Sequence, residues 1–264
     1  MENNTIQKTI LPNIKNIIII ASGKGGVGKS TVAAGLAVSL AMEGYSTGLL
    51  DADIYGPSAP ALFGLMSEMP DVEIKDGKNY VVPFESFGVK VMSIGFFIDP
   101  DQAVIWRGPR ASSGLLQLLK ETSWGELDYL IIDTPPGTGD IHITLLQNFM
   151  ATGVIVVTTP QQIAISDVKK AIDMYSDKQI GIPLLGVVEN MSWFTPVNHP
   201  EEKYYIFGNG GGERLANEFK VPLLARIPMN ENMCKNCDTG KMNELFADPA
   251  IKSAFEQLIN SLIK

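Results

Sequence analysis

Eight residues near the amino terminus have the types and the spacing that bind phosphate. Gly23–Ser30 matches the pattern G-x-x-x-x-G-K-[ST]. Its glycines lack a Cβ atom, so backbone N–H groups can converge on phosphate oxygens. Lys29 adds a cation for the outer phosphates, and Ser30 adds a hydroxyl for Mg²⁺. A predicted strand precedes the match and a predicted helix follows it, so we predict a phosphate-binding loop here.

Lys24 is the unusual residue of this loop, because the general pattern requires no lysine there. From the outer rim it is not expected to reach its own phosphates. Across a dimer interface it would touch the partner's nucleotide and stabilise phosphoryl transfer, as an arginine finger does. A solvated surface lysine is the alternative, and the residue types leave both open. The predicted nucleotide-binding residues of this segment are Gly23, Lys24, Gly25, Gly26, Val27, Gly28, Lys29, Ser30 and Thr31.

Acidic residues end two of the predicted strands. Asp51 and Asp53 follow one strand, and alternation places both carboxylates on the same side. One would hold a Mg²⁺-bound water and the other would orient the attacking water. Asp133 ends an apolar run, which is the usual place for the aspartate that holds Mg²⁺. A helix cap or turn is the alternative for each acid alone. We predict Ser30, Asp51 and Asp133 as the Mg²⁺ site.

Apolar runs and helical patterns alternate along the chain, which predicts an α/β fold with a mainly parallel sheet flanked by helices on both faces. We interpret residues 1–264 as one domain of this kind. Predicted strands are Asn16–Ala21, Ser46–Leu50, Val89–Ile94, Tyr129–Ile132, Gly153–Thr158, Leu184–Val188 and Leu223–Ile227. Predicted helices are Lys29–Glu43, Ala111–Lys120, Ile141–Met150 and Ser166–Asp177. Pro57–Tyr80 and Ser192–Gly212 remain as long irregular stretches.

Composition narrows the function classes. The formal net charge is −8 and the pI is about 4.9, which argues against a general nucleic-acid binder. The longest apolar run, Ile17–Ala21, is far shorter than the roughly 20 residues of a membrane span, and it lacks the basic n-region and the small-residue cleavage site of a signal peptide. We therefore expect a cytoplasmic protein with free thiols. The apolar stripe of Pro249–Lys264 lacks a strongly basic face and is expected to dock on the core rather than on a membrane.

Four further segments and the Lys24 loop together resemble a known family. The segments are Asp51–Ser58, Trp106–Pro109, Asp133–Asp140 and Glu189–Ser192. The loop is similar to that of the deviant Walker A ATPases, which include the Min- and Par-type ATPases. The four segments resemble the Mrp/Nbp-type iron–sulfur carriers within that group. The resemblance covers roughly Asn16 to Gly240, nearly the whole chain.

The resemblance implies a function and several residue roles. It implies slow ATP hydrolysis by a homodimer that carries a bridging [4Fe–4S] cluster to apo iron–sulfur proteins. Lys24 and Lys29 would act on the phosphates, Lys24 across the dimer, and Asp53 would position the hydrolytic water. Asp133 and the turn after it would sense the γ-phosphate, and Asn190 would contact the adenine. The small N-terminal domain of many members is expected to be absent, because about 15 residues precede the first strand.

Cys234 and Cys237 form a C-x-x-C pair, which we expect on a loop after the last strand. One pair gives two thiolates, whereas a [4Fe–4S] cluster usually takes four cysteines. A C2 dimer that apposes the two pairs would supply four. A redox dithiol, half of a zinc site and two ordinary thiols are the alternatives.

The position of this pair departs from the family pattern. In the carriers the C-x-x-C usually follows the Glu-Asn-Met segment, but Ser192–His199 contains no cysteine here. Either the ligands have moved downstream or the cluster has been lost; we favour cluster binding. His199 is a further candidate ligand, with a surface histidine as the alternative. Two other functions stay open: a partition or positioning ATPase without a cluster, and a metabolic ligase or kinase.

Overall fold

The computed structural model describes residues 9–97, 108–177 and 181–263. Trp106 and Arg107 of the family-like segment lie outside these residues. The helices are α1 (Lys29–Met42), α2 (Ala59–Leu62), α3 (Gly108–Glu121), α4 (Asp140–Asn148), α5 (Gln162–Tyr175), α6 (Gly211–Phe219), α7 (Glu231–Asp238) and α8 (Pro249–Leu262). The strands are β1 (Ile14–Ser22), β2 (Thr47–Asp51), β3 (Val72–Lys75), β4 (Lys78–Val81), β5 (Phe84–Ser86), β6 (Val89–Ser93), β7 (Leu127–Asp133), β8 (Gly153–Thr158), β9 (Leu184–Phe194) and β10 (Leu223–Met229).

Eight of the described strands form one sheet in the order β10-β9-β8-β1-β7-β2-β6-β5. Neighbouring strands run parallel, except that β5 is antiparallel to β6. The predicted α/β fold with a mainly parallel sheet is confirmed. Since parallel strands end at the same edge, the segments that follow β1, β2, β7 and β10 are brought to one side of the molecule.

Helices cover both faces of this sheet. Ile18 and Ile20 of β1 point into one apolar cluster, and Ile19 and Ala21 point into the other, as strand alternation requires. Helices α1 and α8 contribute to the first cluster, and α5 and α6 contribute to the second. The near-continuous apolar runs of the sequence follow from this double burial.

Helix α8 docks on the core, as its stripe predicts. Its buried residues are Ile251, Ala254, Phe255, Leu258 and Ile259. Asp248 caps the helix by accepting hydrogen bonds from the N–H groups of Ala250 and Ile251. None of the described helices has both the length and the apolarity that a bilayer crossing requires. The apolar face of α8 is therefore used inside the domain.

The stretch Pro57–Tyr80 is more regular than predicted. It contains α2, β3 and most of β4, and the two strands pair as a hairpin separate from the main sheet. Asp76 and Gly77 form its two-residue turn with φ values of 52° and 74°. An Asp-Gly dipeptide between short strands is a hairpin signal that the interpretation as a loop overlooked.

The turn after α7 approaches α2 with no room for a side chain. Gly240 has φ 67°, and a Cβ atom there would lie 2.5 Å from the Cα atom of Gly64. The backbone of Gly64 cannot move aside as a side-chain tip would. This contact ties the carboxyl end of α7 to the segment that follows β2.

We expect Gly240→Ala to lower the free energy of unfolding more than Gly77→Ala. Both positions have positive φ, so each alanine pays a left-handed penalty of about 1–2 kcal/mol. Only Gly240 faces backbone, since nothing lies within 4 Å of a Cβ atom at Gly77. The overpacking should add about 1–3 kcal/mol. Urea unfolding of the two variants measures the difference, and equal losses would contradict the close packing.

A buried histidine links the end of β7 to α4 and α5. His142 Nδ1 lies 2.5 Å from the Tyr175 hydroxyl, and its Nε2 lies 2.9 Å from the Pro135 carbonyl oxygen. These partners assign the proton to Nε2, which donates to Pro135, while Nδ1 accepts from Tyr175. Burial lowers the pKa of His142 to about 4. The neutral ring therefore holds the backbone that follows Asp133.

The His142 contribution to stability should disappear as the pH falls from about 6.5 to about 4. The unfolded chain protonates this side chain near pH 6.5, while the folded chain keeps it neutral until about pH 4. We expect the free energy of unfolding to lose up to about 3 kcal/mol through this group. In His142→Gln that loss should be missing, so its stability should approach that of the wild type as the pH falls.

Chemical denaturation at pH 7.5, 6 and 4.5 measures this difference. His199→Gln, which removes the exposed second histidine, is the matched control and should follow the wild-type profile. Parallel profiles for the wild type and His142→Gln would refute a buried neutral His142.

Candidate functional site

The predicted phosphate loop joins β1 to α1. Gly28 has φ 79° and is the residue before the first helical position, Lys29. A Cβ atom at Gly28 would lie 2.2 Å from Asn190 Nδ2, so only glycine fits both the conformation and the space. The first N–H groups of α1 lack partners within the helix and give its amino terminus a partial positive charge. The loop and helix therefore form an anion site.

A cleft of about 200 Å³ opens at this loop. Lys24, Gly25, Lys29, Ser30, Asp53 and Pro136 are among the residues that line it. The structure thus joins the loop to the segments after β2 and β7, as predicted. Val27 differs, because its side chain is buried in the core and only its backbone is available.

Lys29 holds the charges of the cleft together. Its Nζ lies 2.5 Å from Asp133 Oδ1, 3.8 Å from Asp53 Oδ2 and 3.3 Å from Ser30 Oγ. Lys29 is only 5% exposed. Burial raises the pKa values of Asp53 and Asp133, and the Lys29 ammonium opposes this shift. A phosphate group entering the cleft meets a lysine that two carboxylates already orient.

The Asp133 carboxylate and the Ser30 hydroxyl both contact Lys29 Nζ, at 2.5 and 3.3 Å. Two oxygen donors of this kind, side by side at a phosphate loop, fit the ligand preference of Mg²⁺. The Mg²⁺ assignment of Ser30 and Asp133 stays a prediction that this arrangement favours.

The hydrogen bonds of Asp51 indicate a different role from that of the predicted Mg²⁺ ligand. One carboxylate oxygen accepts from the Asp53 N–H, and the other accepts from Ser93 Oγ and from the N–H groups of Ser58 and Ala59. Burial, and then the Asp133 carboxylate, raise its pKa to about 7, although these four donors favour the ionised form. Asp51 therefore fixes the amino terminus of α2, and Asp53, rather than Asp51, reaches Lys29.

Lys24 lines the cleft from the loop rim. Its carbonyl oxygen accepts from Ser22 Oγ, which fixes the backbone. Within the part of the chain that the structure describes, its ammonium makes no ion pair. Such a side chain is available to a second molecule, so its role across a dimer remains a prediction.

A second cavity of about 390 Å³ adjoins the phosphate cleft, and both are lined by Gly28 and Thr31. We call it the β9–α7 cavity; among its lining residues are also Asn190, Met233, Cys234 and Cys237. Most of its surface is apolar. The Asn190 amide donates to the Val27 carbonyl oxygen at 2.9 Å and is 3% exposed. Asn190 is therefore held at the border between loop and cavity, where the adenine contact was expected.

The two cysteines lie on a helix and not on the predicted loop. Asn230 caps α7 by accepting from the N–H groups of Asn232 and Met233. Cys234 is exposed, and Cys237 is half-buried with its sulfur 3.8 Å from Met242 Sδ. Burial raises the pKa of Cys237. The Asn230 cap was the signal in the sequence that could have revealed this short helix.

His199 does not join the cavity-lining residues. Its Nδ1 lies 3.8 Å from Glu201 Oε1 and 3.9 Å from Glu202 Oε1 on the exposed segment after β9. Its role as an additional cluster ligand stays a prediction. No local pattern pointed to His142, because the contact of its ring with Pro135 depends on the packing of α4 against the end of β7.

Known proteins resemble this chain over nearly its whole length. A family model described as ParA: NUBPL iron-transfer P-loop NTPase matches residues 13–263. Proteins named "Iron-sulfur cluster carrier protein" from Aquifex aeolicus and Synechocystis are 49% and 48% identical over 88% and 86% of this chain. The chain spans only 62% and 64% of their lengths. A relative of the same name from Pseudomonas fragi is 48% identical over 90% of this chain and 81% of its own.

Two solved structures are also similar to this chain. A nucleotide-binding protein from Archaeoglobus fulgidus, in complex with ADP, is 39% identical with a TM-score of 0.78 over 93% of each chain. The septum site-determining protein MinD from Pyrococcus horikoshii, complexed with Mg-ADP, has a TM-score of 0.67 over 94% of this chain and 96% of its own. At 23% identity it shows the fold alone. The chain belongs to the ParA/NUBPL family of iron-transfer P-loop NTPases.

Proposed function

We propose that this protein is an ATP-hydrolysing iron–sulfur cluster carrier that works as a cytoplasmic homodimer. One observation carries the proposal: both cysteines of the chain line a cavity that shares Gly28 and Thr31 with the phosphate cleft. A site for thiol ligands and a site for nucleotide are therefore neighbours. The name and similarity of the carrier relatives support the same function.

The phosphate cleft has the groups that ATP hydrolysis needs. Lys29 would turn from Asp133 to the outer phosphates, and Asp53 would orient the attacking water. Ser30 and Asp133 would hold Mg²⁺, which when bound neutralises charge on the phosphate oxygens. Lys24 of one chain would stabilise the charge that develops on the nucleotide of the other.

The cluster is the cargo of this reaction, and four thiols suit a [4Fe–4S] cluster. One chain supplies Cys234 and Cys237 on one side of α7, so two chains related by a C2 axis would supply four. Cys234 is already exposed. Cys237 is half-buried against Met242, so its ligation requires the end of α7 to open. Apo iron–sulfur proteins would then receive the cluster.

A packed route connects the two sites. Asp51 fixes the amino terminus of α2, and Gly64 just beyond α2 meets Gly240 beyond α7. A shift of the segment around Asp53 on hydrolysis would therefore press on the helix that carries the cysteines. We propose that ATP turnover acts on α7 through this contact and so determines when Cys234 and Cys237 can take up or release the cluster.

Lys29→Ala should abolish nucleotide-dependent cluster transfer while leaving both thiols intact. The substitution removes the cation that faces the phosphates. We expect ATP binding to lose at least about 2–3 kcal/mol of binding free energy, which corresponds to roughly 100-fold weaker affinity. Calorimetric ATP titration and transfer of cluster to an apo-ferredoxin measure the two effects. Normal ATP-dependent transfer by this variant would end the coupling proposal.

Lys24→Ala is the matched comparison on the same loop. Its lysine should act in the partner's site, so we expect ATP binding to persist while hydrolysis falls by at least about 100-fold. Equal hydrolysis by wild type and Lys24→Ala would contradict the role across the dimer.

Anaerobic reconstitution tests the cluster site. We expect about four iron and four sulfide ions per wild-type dimer, because each chain contributes two thiolates. Cys234→Ala/Cys237→Ala is free of cysteine and should retain neither ion. Iron and sulfide analysis together with sedimentation gives the ratio per dimer. Retention of a cluster by the double variant would place the ligands elsewhere.

A further inference from the structure

The β9–α7 cavity places the two thiols where a nucleotide base would lie. The phosphate loop fixes one end of the nucleotide at the amino terminus of α1. Thr31, in the first turn of that helix, lines both the phosphate cleft and the β9–α7 cavity. A nucleotide anchored by its phosphates can therefore extend past Thr31 into this cavity.

The shape and lining of the cavity suit a base. Its volume of about 390 Å³ lies within the usual range for small-molecule sites. Met191, Pro228 and Met233 give it apolar surface for a planar ring, and the Asn190 amide gives it a polar edge. Predominantly apolar walls with a few placed polar groups are typical of cofactor pockets.

Both thiols face this same space. Cys234 and Cys237 are three residues apart on α7, which puts them on one side of the helix. Both line the cavity, and Thr31 lines it as well. A group attached to either sulfur would occupy volume that the base needs.

We propose that the base of a bound nucleotide covers Cys234 and Cys237, so that nucleotide and a thiol-bound ligand exclude each other. The inference rests on the nucleotide binding of the proposed function, but not on cluster delivery. It adds an order of events: the cavity that both cysteines line is open in the nucleotide-free chain and filled in the nucleotide-bound chain. Nucleotide exchange would then decide when a soft metal or a cluster can reach the pair.

The test measures how fast N-ethylmaleimide alkylates the cysteines with and without nucleotide. The thiolate adds across the maleimide double bond and the adjacent carbon takes up a proton, so no oxidant is needed. At 100 times the Kd about 1% of sites are free, so Mg-ATP or Mg-ADP should slow the reaction by up to about 100-fold. We expect at least about 10-fold protection at Cys234, followed in Cys237→Ser so that one thiol reports.

Inorganic tripolyphosphate with Mg²⁺ is the matched ligand, since it fills the phosphate loop but has no base. Its binding is confirmed by displacement of ATP, and it should leave the alkylation rate within about twofold of the free chain. Equal protection by tripolyphosphate and ATP would show that a change in the loop, not the base, closes the thiols, and would overturn the inference.

The reciprocal measurement compares one variant with itself. Cys237→Ser alkylated at Cys234 should bind ATP at least about 10-fold more weakly than the same unmodified variant in calorimetry. Unchanged affinity would overturn the inference while leaving nucleotide binding established. Failure of the unmodified wild-type chain to bind ATP would instead refute the proposed function together with the inference.

Discussion

The nucleotide site depends on one interaction, the buried ion pair between the Lys29 ammonium and the Asp133 carboxylate. A lysine that is 5% exposed is costly unless it is paired, and Asp133 at 2.5 Å supplies the partner. Phosphates that draw Lys29 away would leave the Asp133 carboxylate buried without its counter-ion. A divalent cation held by Ser30 and Asp133, as we propose, would offset that cost, because both oxygens already lie at Lys29 Nζ. The same few charged groups would therefore pair in one way without nucleotide and in another way with nucleotide bound.

The parallel sheet explains why so many functional segments meet. The phosphate loop follows β1, Asp53 follows β2, Pro135 follows β7 and α7 follows β10, all at the carboxyl ends of their strands. Each segment is then fixed by a contact of its own. Asp51 holds α2, the His142 ring holds the backbone at Pro135, and the Asn230 side chain caps α7. The site is built from loops, and three of them are anchored by a polar side chain.

How far the sequence predicts this site depends on how local each determinant is. The phosphate loop and the parallel strands are each determined by consecutive residues, so glycine spacing and apolar runs were sufficient to predict them. The role of Asp51 cannot be predicted from neighbouring residues. Its carboxylate accepts hydrogen bonds from groups seven and eight residues later in the chain and from a side chain on β6. Helix α7 is short and mostly polar, so no periodic stripe announced it. That the cysteines and Thr31 line one cavity depends on the tertiary packing of α7, which no local pattern encodes.

The tertiary structure suggests how cysteines at this displaced position could still serve the nucleotide site. The segment after the Glu-Asn-Met residues holds no thiol in this chain, and both sulfurs instead line a cavity that begins at the phosphate loop. A thiol pair at a distance from the nucleotide could respond to it only through moving elements. Here Thr31 and Cys237 line the same cavity, and the Gly64–Gly240 approach adds a second link through α2. If the base enters this cavity as we propose, the same cavity governs both nucleotide binding and the accessibility of the thiols.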